Sequence, residues 1–150
     1  MTREVLIAIA GTQIEETDSE VQDHEAIEII SPATYYFKDG IHYIFFEEVH
    51  EGIAGITRNK IVFKENEYLE VIKKGVTNST MVFHCNETHV TNYETPFGEM
   101  QLGVITHKLH SKLEEHQLDI FAVYELAVDC EPYAECEIKL RIQDRSQGVI

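Results

Sequence analysis

The chain reads as all-β, a single up-and-down antiparallel β-barrel of about 8–10 strands, from its runs of strand-forming residues. Three observations carry that expectation. Strand-length runs follow one another along almost the whole chain, the gaps between them are short and hold turn residues, and little room remains for helices. A sheet of so many consecutive strands would leave exposed edges unless it curled and closed on itself. At 150 residues the chain fits one domain, residues 1–150, large enough to bury its own core.

The runs come in order. Glu4 to Gly11 is apolar and β-branched, and Ala26 to Phe37 and Ile41 to Val49 flank the turn Lys38-Asp39-Gly40. Lys60 to Lys64 and Tyr68 to Lys74 flank Glu65-Asn66-Glu67, while Thr80 to His84 and His89 to Thr95 flank the polar Cys85-Asn86-Glu87-Thr88. Thr95-Pro96-Phe97-Gly98 makes a sharp corner before Met100 to Leu113; Leu118 to Val128 and Ala134 to Gln143 complete the series. The last run has the clearest period of two. Ala134, Cys136, Ile138, Leu140 and Ile142 face a core, and Glu135, Glu137, Lys139, Arg141 and Gln143 face water. Runs as long as 26–37 and 100–113 call for bulges or bends, with Gly103 as the candidate. Residues 13–25 form the one connection long enough for a lid, and their acidic composition without an apolar face reads as a loop.

Composition narrows the partners. Twelve Lys and Arg against 27 Asp and Glu give a formal charge of -15, which repels phosphate backbones and anionic membrane faces, so neither nucleic acid nor membrane is expected. Glu15, Glu16, Asp18, Glu20, Asp23, Glu25 and Glu28 form an acidic run that is either solvated or a dock for a basic protein. Cys85, Cys130 and Cys136 are an odd set without a Cys-x-x-Cys pair, as expected of free thiols in a reducing cytoplasm. The apolar stretch from Val5 to Ala10 is too short for a signal-peptide core, which also favours a cytoplasmic protein.

Several stretches are similar to a known family. Lys74-Gly75, Ser79, Met81, Phe83, the corner Tyr93-Glu94-Thr95-Pro96-Phe97-Gly98, Thr106 and Tyr124-Glu125-Leu126 together resemble the YwiB-like bacterial domain of unknown function. The resemblance covers nearly the whole chain and implies a calycin-like, that is lipocalin-like, barrel in a bacterial cytoplasm, with no catalytic residues to carry over. Calycins often hold small apolar ligands, so the resemblance implies ligand binding by analogy of fold. The chain has no Trp for the lipocalin Gly-x-Trp signature, and residues 13–25 are too few and too polar for the paired helices of a fatty-acid carrier.

Alternation nominates the residues lining a barrel lumen: Tyr43, Phe45, Met81, Phe83, Tyr93, Tyr124 and Leu126, with Ile120, Ile138, Leu140 and Ile142. They form an ordinary packed core or the wall of a cavity in which tyrosine hydroxyls give a ligand polar handles. Arg141 joins them as the partner of a carboxylate ligand only if the interior is polar, because it alternates with Leu140 and Ile142.

Catalysis and metal binding find little footing. His84 and Cys85 are adjacent on a strand, and His107 and His110 are three apart, so each pair faces apart; no zinc site or cofactor is expected. Glu47 and Glu48 also point to opposite faces and make no acid/base dyad. Gly-x-Ser-x-Gly, Walker and Gly-x-Gly-x-x-Gly motifs are missing. The expectation is a barrel binding a small apolar or amphipathic molecule. The alternative is a protein–protein interaction module that uses the acidic surface or a barrel edge, with a basic protein or a second copy as partner, and an enzyme ranks third.

Overall fold

The computed structural model describes residues 2–17, 20–23 and 27–145. Its strands are β1 (Thr2–Thr17), β2 (Glu20–Asp23), β3 (Ile27–Lys38), β4 (Ile41–Val49), β5 (Ile56–Lys64), β6 (Tyr68–Gly75), β7 (Ser79–Phe83), β8 (Thr88–Thr95), β9 (Gly98–Glu114), β10 (Gln117–Val128) and β11 (Glu131–Asp144). All pairings are antiparallel, in the order β7-β6-β5-β4-β3-β1-β11-β10-β9-β8, with β2 added to the end of β1. The first and last long strands pair over ten positions, from Val5 with Asp144 to Ile14 with Glu135, so the meander curls back on itself.

The seam between the β7 and β8 ends of the sheet is bridged, leaving a nearly closed barrel. Asn78 and Glu94 exchange two backbone hydrogen bonds of 2.9 and 2.8 Å, and Asn86 donates to the Thr106 carbonyl at 3.0 Å. The Gly75–Asn78 turn aims Asn78 at this seam: the Asn78 side chain accepts from the Gly75 N–H and donates to its carbonyl. Gly75 has a φ of 138°, and a Cβ there would collide with the Ile56 carbonyl, which is why the turn takes glycine. Asp39 and Gly40 both have positive φ, as a two-residue hairpin turn requires.

Two sequence expectations change. Residues 13–25 are not simply a loop: β1 runs on to Thr17 and returns as β2, with Thr17 paired to Glu20 and Ile14 to Asp23. Backbone pairing can hold such a hairpin without an apolar face; residues 18, 19 and 24–26 lie outside the described residues. The bend in β9 is not at Gly103, which stays in register between Val90 and Ala127. His107 is the extra residue, since Lys108 pairs with Val123 and Thr106 with Tyr124. It shifts the inward phase from Leu102, Val104 and Thr106 to Leu109.

Side chains fill the interior. Ile7, Ile44, Ile61, Phe63, Leu69, Phe83, Val104, Ile120 and Leu140 are fully buried against one another, and Ile9, Met81, Leu109, Tyr124, Leu126 and Ile138 pack around them. At one end Tyr35 and the buried His42 share a 2.7 Å hydrogen bond, with the His42 ring lying near Phe37 and Phe63. The other end is polar.

Candidate functional site

Four neighbouring strands bring polar side chains to the inner face at that end. On β4 the inward phase runs His42, Ile44, Phe46, Glu48; on β5 it is Thr57, Asn59, Ile61, Phe63; β6 contributes Lys73 beyond Leu69 and Val71, and β7 contributes Ser79. Register aligns them, for Thr57 pairs with Glu48, Asn59 with Phe46 and Lys73, and Lys73 with Ser79. Lys73 Nζ lies 2.6 Å from Glu48 Oε1, and Asn59 Nδ2 donates to the same oxygen at 2.8 Å. His50 Nε2 and Thr57 Oγ1 are 2.7 Å apart beside them.

Burial alone would raise the Glu48 carboxyl. The hydrogen bond and charge of Lys73, the Asn59 amide and the charge of His50 outweigh that, and hold it below the usual glutamate value. Asn59 is only 2% exposed, and its solvent-shielded Oδ1 has no hydrogen-bond partner among the described residues. An unpaired acceptor in such a place costs stability.

Asn59 is also among the residues lining a groove. β3 and β4 pair over only five positions, ending at Thr34 with Phe45, whereas β4 pairs with β5 over nine. Pro32 has no N–H to donate and stands two residues beyond the last pair, so the ladder stops and the strands part. The gap is an open groove of about 530 Å³. Ser31, Ala33, Phe46 and Asn59 come from its inner side, Pro32, Thr34 and Phe45 from its walls, and Glu4, Glu47, Arg58 and Arg145 supply charge.

The nominated lumen residues divide. Met81, Phe83, Tyr124 and Leu126 do turn toward the core; Phe83 and Tyr124 meet edge to face at 4.9 Å. Burial, and secondarily the neighbouring Cys136, push the Tyr124 hydroxyl well above its ordinary pKa. Tyr93 is half-buried in β8, opposite the exposed Met100.

Tyr43 and Phe45, in contrast, lie on the outer face. Tyr36 stacks on both, at 4.7 and 5.9 Å, and the Lys60 ammonium sits over both rings. Both phases of β4 are apolar, so alternation could not choose between them; the inward phase is the one that meets Ile61 and Phe63. Arg141 also points outward, its side chain 57% exposed, and donates from Nε to Asp119 at 2.9 Å. Glu47 and Glu48 do face apart, the first toward Arg58 outside and the second toward Lys73 within. His84 and His89 both approach one carboxylate oxygen of Glu87, at 3.0 and 3.4 Å. The side chains of the acidic run from Glu15 to Glu25 lie outside those described.

The polar inner cluster was missed at the sequence level. Its signal was present in the phase of Ile44, Phe46, Glu48 and of Leu69, Val71, Lys73, where a charge continues an apolar stripe.

A family model described as Domain of unknown function (DUF1934) matches residues 7–140, nearly the whole barrel. The chain belongs to the DUF1934 family. This DUF1934 chain is 26% identical over 128 residues to the uncharacterized beta-barrel protein YwiB of Bacillus subtilis (strain 168), covering 85% of this chain and 86% of that one. The crystal structure of the ywiB protein from Bacillus subtilis superposes with a TM-score of 0.77 at 20% identity, covering 95% of this chain and 92% of that chain. The DUF1934 barrel thus has the antiparallel fold of its Bacillus relative, with no activity attached to the family description.

Proposed function

We propose that this protein binds a small amphipathic molecule, and that the molecule sits in the groove between β3 and β4 rather than in the barrel centre. The observation that carries the reading is the groove of about 530 Å³ lined by apolar Pro32, Phe45 and Phe46 together with charged Glu47 and Arg58. That volume suits one small ligand, and Phe45 and Pro32 offer apolar wall beside polar groups able to orient it. The centre is filled by side chains exposed at 1% or less, such as Ile44, Phe63 and Phe83, which speaks against the lumen as the binding place.

Amide NMR shifts of the labelled protein against a set of small amphipathic compounds test this reading. Shifts clustering at Ser31, Ala33, Phe46 and Asn59, and lost in Thr34→Trp, which fills the groove, are the expected result. Shifts centred on Met81, Phe83 and Tyr124, or none from any compound, would overturn it.

A second reading has its own support. Where β3 and β4 part, the register leaves Phe46–Val49 of β4 without a β3 partner, an open edge that an extended segment of another protein could pair with.

A further inference from the structure

We infer that the ligand of this groove is a zwitterion of the α-amino-acid type, free or at the ends of a short peptide; this rests on the binding reading above and narrows it. The charges lining the groove are balanced. Arg58 and Arg145 offer guanidinium forks for a carboxylate, while the Glu4 and Glu47 carboxylates accept from an ammonium group.

The charged residues on the rim are held loosely. Arg58 stands 3.8 Å from Glu47 and Arg145 stands 3.9 Å from Glu4, beyond hydrogen-bond distance, and all four side chains are exposed. Such pairs contribute little to stability, so exchanging them for contacts with a ligand costs little. A purely cationic ligand would leave both arginines without new partners. A purely anionic one would leave Glu4 and Glu47 without new partners and would meet the field of a chain carrying a formal charge of -15. A molecule with both charges satisfies both sets. Phe45 and Pro32 in the wall give an aromatic side chain an apolar surface.

The test uses L-phenylalanine, the dipeptide alanyl-phenylalanine, its N-acetyl form, its C-terminal amide and the doubly blocked form, with groove amide shifts read by NMR. The dipeptide or the free amino acid should bind in the groove, and the stronger of the two identifies the source. Blocking either end should weaken binding roughly tenfold or more, the effect of losing charged hydrogen bonds. In Arg58→Ala/Arg145→Ala the free dipeptide and its amide should bind alike, and Glu4→Gln/Glu47→Gln should erase the penalty for acetylation. If the doubly blocked form binds the groove as well as the free dipeptide, the zwitterion inference is overturned and the groove reading stands. If these probes leave the groove amides unmoved while neutral amphiphiles shift them, the result is the same. If neither the probes nor the amphiphiles shift them, both readings fall.

Discussion

Glu48 on β4 and Lys73 on β6 meet at 2.6 Å on the inner face of the barrel, reaching across β5, with Asn59 donating to the same carboxylate oxygen. Side-chain exposures of 16% and 26% place the pair between the surface and buried limits. Removing one partner there should cost about 2 kcal/mol, less than a fully buried pair and more than a surface one. Lys73→Met is therefore expected to lower the urea midpoint at pH 7, and Glu48→Leu/Lys73→Met to restore most of it. The sign with pH follows from the depressed Glu48 value. In the wild type its contribution is present above the ordinary glutamate range and is lost as pH falls through the lower folded value. In Lys73→Met the carboxyl loses the two strongest influences that lower it and moves up from its wild-type value, so the penalty of the substitution should shrink between pH 7 and pH 4.5. A penalty unchanged by pH would show that the ion pair is not its origin.

The assignment of inner and outer faces gives a second expectation. Phe83 is fully buried, so Phe83→Ala should cost about 3–5 kcal/mol. Tyr43→Ala removes an outer ring stacked on Tyr36 and should cost about 1 kcal/mol or less. Denaturant unfolding of the two variants separates these cases, and comparable losses would contradict the outward placement of Tyr43.

His42 provides a third. Burial lowers its pKa, opposed by the charge of Glu65, and Tyr35 holds its Nδ1 at 2.7 Å. Because the folded value lies below the unfolded one, this histidine favours folding above the ordinary value of 6.5 and that contribution is lost as pH falls through the folded value. An NMR titration should place the His42 ring midpoint below 6.5, and a midpoint at or above it would refute the buried environment. The stability difference between wild type and His42→Gln should narrow as pH drops from 7.5 to 5.

The sequence by itself determined the barrel. Its period-two runs, the Asp39-Gly40 turn and the Thr95–Gly98 corner specify where strands begin and end, because alternation and turn conformation are local properties of the chain. The inward stripe of β11, from Cys136 to Ile142, was legible because only one of its phases is apolar. Even the bulge at His107 left a trace in the change of apolar phase between Thr106 and Leu109. Tertiary structure decided the rest. On β4, where both phases are apolar, only pairing with β5 turned Ile44 and Phe46 inward and left Tyr43 and Phe45 outside. Glu48, Asn59 and Lys73 are separated by 11 and 14 residues, and they meet only because β4, β5 and β6 pair in one register. The groove beside them exists because the β3–β4 ladder stops at Thr34 while the strands around it continue to curl. Contacts between strands depend on register and closure, which belong to the whole sheet and to no single run of residues.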